Sequence, residues 1–412
     1  MAHNVGIVGA GIAGLHLGLY LQKHGLNATI ITDREPESYR DSRLLNTVAH
    51  HHITLAREDY LGVNHWAAPE LHYTHHDHFF NFPDPIRFRG DFTKPSRAVD
   101  YRIYLPALMA DFAERGGNIE IAKIDSKDIA ALADRFDLLV VSTGKTALGE
   151  LFTYMPEHTP FSQPQRKLCV GLYTGVKQAD PMGVTLSVSP GHGELIVIPT
   201  VTFDGIATAL LMENIPGGDL EEMASLDYES DPKHFLQTLL DKLEKHHPSV
   251  FDRIDTTNFG LAQPQDLLQG SVVPTVRNTY VELDNGKCVI ALGDVHTVVD
   301  PVMGQGANIA SYSAFAVGEK IVQSDVLDSR FCEKVEWARQ DRILGAARWT
   351  NLMLGPPSEA IGMLIGNMAQ NKALADEFTE NFNYPEKQWD CISTPERIHT
   401  WIAKSQQVGA AA

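Results

Sequence analysis

The sequence predicts an α/β fold with a parallel sheet, an inserted β-rich layer and a helical C-terminal region. Three observations carry this prediction. A strand–helix–strand pattern opens the chain at residues 4–34, and a strand, glycine-rich loop and helix recur over residues 287–322. Between them lie short β-rich segments separated by Gly and Pro: KLCVGLYTGV, VTLSVS, ELIVIPT and GIATALLME. A chain of 412 residues has room for two domains or one large α/β domain with an inserted layer.

Composition and charge exclude several classes of partner. Lys plus Arg number 34 against 52 Asp plus Glu, a formal charge of −18, so the surface should repel nucleic acid and anionic lipid. No stretch approaches the roughly 20 apolar residues of a membrane span, and the N-terminus enters a strand without a basic region. We therefore expect a cytoplasmic protein that binds neither nucleic acid nor membrane. Four widely spaced cysteines without CxxC spacing predict free thiols.

The first motif is a GxGxxG turn formed by Gly9, Gly11 and Gly14 between a strand and a helix. These glycines permit a tight turn, close approach of a pyrophosphate and close helix packing, with the phosphates at the positive helix N-terminus. The second strand should end in an acid that bonds the adenosine ribose. Asp33 is the candidate, one place later than expected, and Thr32 could substitute. The motif indicates a Rossmann-like dinucleotide site, the alternative being a glycine-rich turn in an ordinary sheet of that type.

The second motif, GDVHTVVDPVMGQGANIAS, runs from Gly293 to Ser311 between a strand and a helix. The first turn of that helix, near 304–307, should aim free N–H groups at whatever lies before it. Asp294 is placed to accept hydrogen bonds from a ribitol chain. A cofactor with a pyrophosphate and an electron-accepting ring fits both motifs, which predicts FAD. The alternative reads DPVMGQG as a surface turn with a helix cap.

Both motifs together define a discontinuous layout. We expect an FAD-binding domain built from residues 1–45, 97–165 and 280–325, and a substrate-binding β-sheet domain from 46–96 and 166–279. Residues 326–412 form the helical C-terminal region. Within the second domain, 231–247 should be an amphipathic helix with Asp231 as N-cap and Pro248 as its stop.

Several stretches resemble a known family. The glycine motifs and Arg43 are typical of the FAD-dependent aromatic hydroxylase superfamily. More specific are VGIVGAGIAGLHLGLYLQ, RLLNTVAH, PSRAVDYRIYLP, DLLVVSTGK, SPGHGELI, KHHPSV, DPVMGQGAN, DEFTENFNYPE and QWD. They resemble the oxygenase components of two-component styrene and indole monooxygenases and span nearly the whole chain.

That resemblance implies a monooxygenase that epoxidises styrene and related aryl alkenes through a flavin C4a-peroxide. Its flavin is FAD, delivered reduced by a separate NADH-dependent flavin reductase, with O2 as co-substrate and a homodimer as the assembly. FDLLVVSTGKTALG lacks the Asp-Gly that serves NAD(P)H in single-component relatives, which agrees with a separate reductase. An apolar alkene has no proton to abstract and should occupy an apolar pocket.

The motifs and the resemblance together predict the site residues. Those near the chemistry are Arg43, Asn46 and Thr47. The substrate pocket is assigned Leu45, Val48, His50, Tyr73, His76 and Ser96, of which the last five and Asn46 match the styrene-type rather than the indole-type pattern. The cofactor is assigned Gly9, Gly11, Ile12, Ala13, Gly14, Thr32, Asp33, Arg43, Asp294, Pro301, Gly304, Gln305, Gly306, Ala307 and Asn308.

Other readings stay open at this point. Indole oxidation, a self-sufficient NAD(P)H-dependent hydroxylase and a non-catalytic FAD-binding redox protein are the alternatives. Arg43 could be a solvated surface charge, and His296 has no assigned role. The histidine clusters at 50–52 and 72–78 lack HExxH or Cys partners, so we expect no metal. No tryptophan lies in the Trp-x-Trp-x-Ile-Pro motif of flavin-dependent halogenases.

Overall fold

A computed structural model describes residues 3–144 and 147–411. Its strands are β1 Asn4–Val8, β2 Asn27–Thr32, β3 Thr47–His50, β4 Tyr73–Phe80, β5 Ile86–Asp100, β6 Asn118–Ile121, β7 Leu138–Val141, β8 Lys167–Thr174, β9 Val184–Ser189, β10 Gly193–Thr202, β11 Gly205–Asn214, β12 Gly260–Leu261, β13 Leu267–Ser271, β14 Thr275–Val276, β15 Tyr280–Glu282, β16 Cys288–Ala291 and β17 Thr297–Val298. Its helices are α1 Ile12–Lys23, α2 His52–Leu61, α3 Tyr101–Glu114, α4 Ile129–Ala133, α5 Pro232–His246, α6 Pro248–Phe251, α7 Gly306–Val322, α8 Ser329–Leu354, α9 Glu359–Met368, α10 Lys372–Glu380, α11 Pro385–Ile392 and α12 Pro395–Ala411.

The first sheet has the strand order β15-β16-β7-β1-β2-β6. All its neighbours pair in parallel except the edge strand β15, which runs antiparallel to β16. The central strands are almost continuous runs of buried Val, Ile and Leu, as strands covered on both faces require. Helices α1 and α7 pack on each other and on this sheet. The two predicted glycine loops, which lead into these helices, therefore lie at the carboxyl ends of the parallel strands β1 and β16. This is the Rossmann-like part of the predicted α/β fold.

The second sheet is a nine-stranded mixed sheet with the order β12-β8-β11-β10-β9-β4-β5-β3, and β13 also pairs with β8. The four segments predicted as strands are β8 to β11. Strand β5 is long enough to pair with β3, β4 and β10, so residues 47–50 lie at its far end against α2. Strand β3, the next strand after β2 in the chain, therefore already belongs to the second sheet.

Local signals place the helix ends where expected. The Asp231 carboxylate accepts from the His234 N–H at 2.9 Å, and the following helix α5 stops before Pro248. The C-terminal region consists of α8 to α12, with α10 packed on β5. None of the helices in residues 3–144 and 147–411 combines the length and apolar character that a membrane crossing requires.

Candidate functional site

The first glycine loop joins β1 to α1 and is shaped by close contacts. Gly9 has φ +113°, and a Cβ there would lie 2.5 Å from the carbonyl oxygen of Ser142. A Cβ on Gly14 would lie 2.1 Å from the Gly9 carbonyl oxygen. Only glycine fits at these two places, because one needs a left-handed backbone and the other has no space.

Gly11 differs from its two neighbours, because a Cβ there would meet no protein atom nearer than the Ser142 oxygen at 4.0 Å. It is the N-cap of α1, and its missing side chain leaves the helix N-terminus without a side-chain cap. Ile12 and Ala13 follow in the buried first turn. The free N–H groups and the positive end of the helix dipole face open space there, which suits a pyrophosphate.

At the end of β2, Thr32 and Asp33 occupy different environments. Thr32 is buried, and its hydroxyl accepts from the Arg34 N–H at 3.3 Å, whereas the Asp33 side chain is exposed. Of the two candidates, Asp33 is the one with an exposed carboxylate after β2, so it stays the predicted acceptor for ribose hydroxyls.

The second loop contains two tight turns before α7. Asp294 lies in a 3-10 turn after β16, and Asp300 caps a second turn by accepting from the Val302 N–H at 3.1 Å. Pro301 begins this second turn, and Gly304 ends it with φ +58°, the left-handed region that favours glycine. Helix α7 then starts at Gly306 without a side-chain cap hydrogen bond. Its positive end is therefore available to negative charge.

The two loops touch. A Cβ on Gly293, at the start of the second loop, would lie 3.2 Å from the Cβ of Ala13 in the first turn of α1. Two uncapped helix N-termini at adjoining loops fit one cofactor with a pyrophosphate at α1 and an anionic ring at α7. FAD has this composition, and the residues present are compatible with it.

Asn308 acts mainly within the protein. Its Oδ1 accepts from the His51 N–H at 3.0 Å and the Thr54 hydroxyl at 2.7 Å. Its Nδ2 donates to the carbonyl oxygens of Ala49 and Gly304, both at 2.8 Å. One buried amide thus ties the start of α7 to β3 and α2, which positions the loop without need of a ligand.

Replacing Asn308 by alanine should lower the free energy of unfolding by about 2 kcal/mol, because several buried backbone and hydroxyl groups lose their partner. Chemical denaturation measures this change. The control is Asn367→Ala, whose amide makes only solvent-exposed hydrogen bonds, to the Met363 carbonyl oxygen and from Gln406 Nε2, among the described residues. Equal unfolding midpoints for the two variants would contradict the anchoring role of Asn308.

His50 belongs to a buried hydrogen-bonded network centred on Glu58. Its Nδ1 lies 2.7 Å from Glu58 Oε1, and its Nε2 lies 3.1 Å from the Tyr101 hydroxyl. Arg97 donates from Nη2 to the other carboxylate oxygen of Glu58 at 2.6 Å, and the Tyr104 hydroxyl donates to Oε1 at 3.0 Å. The network joins β3, β5, α2 and α3 into one unit.

Burial and neighbouring charges shift the pKa values of two groups in this network, Glu58 and Tyr101. Burial alone would raise the pKa of Glu58, but His50 and Arg97 lower it to about 2. Burial raises the pKa of Tyr101 well above its ordinary value, with Glu58 and Asp294 adding to the rise. Glu58 is therefore ionised and Tyr101 protonated at neutral pH, and Tyr101 lies within electrostatic reach of the second loop.

Tyr73, Ser96 and His76 lie in a different cluster. Tyr73 and Ser96 are directly opposite each other on β4 and β5, and both are fully buried. The His76 ring packs edge-to-face on Phe92 and Phe382, with ring centroids 4.7 Å and 4.6 Å away. Aromatic side chains in such contacts form a mostly apolar environment suited to a flat hydrocarbon.

Two histidines of this aromatic cluster are neutral. Burial lowers the pKa of His76 well below its ordinary value, and burial with neighbouring His50 lowers that of His51 to about 3. Both ring nitrogens of His51 and Nδ1 of His76 are buried without a protein hydrogen-bond partner. They can shape the pocket or bond a small polar ligand. They are poor candidates for a general acid, because their imidazole rings are not protonated to the cationic form at neutral pH.

The remaining predicted residues, at positions 43 and 45–48, differ in their exposure to solvent and in their contacts. The Arg43 side chain is 75% exposed and pairs with Glu229, and Asn46 is also exposed. For Thr47 the backbone lies in β3, but its side chain is outside the described residues. Leu45 is half-buried against the core of the first sheet, and Val48 is part of that core. Leu45 and Val48 share that core with Ala13 and Ala307 of the two loops, whereas His76 packs on Phe92 and Phe382, so the predicted pocket divides into two parts.

Sequence reasoning missed five residues that the structure brings to these clusters: His51, Glu58, Phe92, Tyr101 and Phe382. Two of them stand within recognised stretches, Tyr101 in PSRAVDYRIYLP and Phe382 in DEFTENFNYPE. Glu58 and Phe92 had no such signal. In the part of the chain that is described, no group of three or more His, Cys, Asp or Glu side chains is arranged to hold a metal ion.

Known proteins of similar structure share this fold. The chain matches the flavin-dependent brominase Bmp2 with a TM-score of 0.69 and 15% identity, covering 100% of both chains. It matches the myxobacterial chondrochloren halogenase CndH with a TM-score of 0.64 and 13% identity over 98% of this chain and 96% of that one. PqsL, described as a probable FAD-dependent monooxygenase from Pseudomonas aeruginosa, gives 0.58 and 12% over 96% and 100%. At these identities the likeness concerns the fold alone.

Similarity in sequence is much closer to another group. Residues 144–253 match the family model described as "Styrene monooxygenase A putative substrate binding domain". Styrene monooxygenase StyA of a Pseudomonas species is 51% identical over 409 residues, 98% of each chain. StyA of Pseudomonas fluorescens is 51% identical over 406 residues, 97% of this chain and 98% of that one. With half of its residues identical over nearly its full length, the chain belongs to the styrene monooxygenase StyA family.

Proposed function

We propose that this protein is an oxygenase component that takes reduced FAD from a separate NADH-dependent reductase and uses O2 to epoxidise styrene and related aryl alkenes. The observation that carries the proposal is the 51% identity to styrene monooxygenase StyA over 98% of the chain. The uncapped N-terminus of α7, close to a buried aromatic cluster with neutral histidines, supports it. Both features suit an anionic ring beside an apolar substrate.

In this proposal the chain binds, orients and excludes water. The N–H groups at the start of α1 would hold the pyrophosphate, Asp294 the ribitol, and the start of α7 the ring. Reduced FAD, when bound, would supply two electrons, and O2 would supply one oxygen atom to the epoxide and the other to water. The cluster of Tyr73, His76 and Phe92 would hold the aryl group, and no general base is required because the alkene loses no proton.

Indole is the second substrate we consider, because an apolar pocket rejects another flat aromatic of similar size only weakly. The styrene-type residues at Asn46, Val48, His50, Tyr73, His76 and Ser96 favour styrene over indole. A homodimer and a cytoplasmic location are further parts of the proposal.

The decisive experiment supplies the electrons in two ways. Photoreduced FAD, O2 and the protein should convert styrene to styrene oxide, up to one equivalent per flavin, whereas NADH with oxidised FAD should give neither product nor NADH consumption. NADH oxidation without a reductase would instead indicate a self-sufficient hydroxylase. Complete reoxidation of reduced FAD with styrene and indole unchanged would indicate a non-catalytic flavin-binding protein.

A further inference from the structure

Four ionisable side chains meet between the second sheet and the second glycine loop. Glu194 and Glu213 are directly opposite each other on β10 and β11. Arg166, just before β8, donates to Glu194 from Nε at 2.7 Å and from Nη2 at 2.8 Å. Like charges opposite each other destabilise a sheet. Because Arg166 forms its bidentate ion pair with Glu194, Glu213 has no salt-bridge partner of its own within residues 3–144 and 147–411.

The partner of Glu213 is another acid. Its side chain lies within hydrogen-bonding reach of the side chain of Asp300, and both residues are 0% exposed. Among the described residues, no N–H or O–H group donates to either carboxylate oxygen of Glu213 or to Oδ2 of Asp300. Two buried carboxylates in contact cannot both be ionised, so a proton must lie between them.

The titration of the pair agrees with this geometry. Burial raises the pKa of Glu213 well above its ordinary value, and Asp300 and Glu194 add to the rise while Arg166 opposes it. Burial also raises the pKa of Asp300 to about 6, with Glu194 adding and the Val302 N–H, Glu213 and Arg166 opposing. Near pH 7 the pair therefore holds one proton between its two carboxyl groups.

Asp300 also lies at the start of the second turn of the second loop. Its Oδ1 caps the turn Pro301–Met303, and Gly304 and the start of α7 follow. We propose that Glu213 and Asp300 share one proton and thereby hold the turn before α7 against β11, as a positioning pair for the flavin-binding loop. The flavin-binding role of this loop rests on the proposed function, whereas the carboxyl pair itself does not. Nothing in the sequence pattern indicates the pair, because its members are 87 residues apart (300 − 213).

The first test compares the pH dependence of thermal unfolding in the apo protein. Both folded-state pKa values lie above their unfolded values, so the pair contributes most below about pH 4 and loses its contribution as the pH rises through 6 and beyond. The melting temperature of the wild type should fall between pH 6 and 9. In Glu213→Gln the amide cannot ionise and donates to Asp300, so at pH 9 this variant should melt about 2 °C or more above the wild type. The control Glu244→Gln, an exposed acid on α5, should follow the wild type.

Infrared spectroscopy tests the shared proton directly. At pH 7.5 the wild type should show the C=O stretch of a buried protonated carboxyl, and Glu213→Gln should lose the intensity of one such group. Equal band intensities in the two proteins would overturn the shared proton, whatever the melting temperatures show.

The positioning role is tested by the affinity for FAD. The dissociation constant of the wild type should rise between pH 6 and 9, by at most about tenfold per unit for one proton, and that of Glu213→Gln should change much less. Identical pH profiles would overturn the positioning role. If neither the wild type nor Glu213→Gln bound FAD at any pH, the proposed function would fail. The infrared and melting experiments would still decide whether the two carboxyl groups share a proton.

Discussion

Replacing Gly11 by valine should abolish FAD binding and leave the protein folded. The backbone of Gly11, with φ −78° and ψ 177°, is open to any residue, and a Cβ there meets no protein atom closer than 4.0 Å. The added side chain would fill the space in front of the α1 N-terminus where the pyrophosphate would lie. We expect the FAD dissociation constant to rise by at least about 100-fold, a loss of about 3 kcal/mol, measured by titration of flavin fluorescence.

Two matched variants make this result specific. Gly362→Val adds the same side chain on α9, where nothing lies within 4 Å, and should bind FAD as the wild type does. Gly14→Val should fail to fold normally, because its Cβ would lie 2.1 Å from the Gly9 carbonyl oxygen. A Gly11→Val protein that is folded and retains wild-type affinity for FAD would remove the pyrophosphate from the α1 N-terminus.

Replacing Glu58 by alanine should lower the free energy of unfolding by about 3–5 kcal/mol, because the fully buried Arg97 would lose its counter-charge. Urea unfolding measures the change, and Asp59→Ala, an exposed acid on the same helix, should alter stability by less than about 1 kcal/mol. The folded pKa of Glu58, about 2, lies below its ordinary 4.5. Its contribution is therefore complete above pH 4.5 and disappears as the pH falls towards 2, so the two proteins should converge in stability in acid.

A double variant separates the pair from the packing around it. Glu58→Leu with Arg97→Met replaces both charges by apolar groups, and it should be less destabilised than Glu58→Leu alone because no unpaired charge remains buried. If the double variant lost as much stability as the sum of both single variants, the ion pair would not account for the effect of Glu58.

The parts of the fold that depend on neighbouring residues could be predicted from sequence. The turn between β1 and α1 requires glycine at 9 and 14, and Asp231 followed by Pro232 specifies the start of α5. The second loop was also recognisable, because a buried strand, a glycine-rich turn and a helix follow one another within 36 residues, 287–322. Such signals place local elements and the loops between them.

The grouping of side chains into clusters could not be predicted in the same way. His50 and His51 are neighbours in sequence, yet His50 ends β3 and contacts Glu58, whereas His51 is the N-cap of α2 and packs on Phe92 and Phe382. The contact between β5 and the C-terminal helices brings Phe92 to Phe382 across almost 300 residues. These outcomes depend on how separate elements dock, which the periodicity of any one element does not encode.

The two glycine loops come from distant parts of the chain and meet in one sheet, and this has a consequence for biosynthesis. Strand β1 leaves the ribosome first, but its neighbour β7 follows more than 130 residues later, and β16 completes the row only after residue 288. Pairings of such sequence separation form late and slowly. Nascent chains should therefore pass through a long period with exposed apolar strand edges, during which the cofactor has no complete site and cannot act as a template for folding.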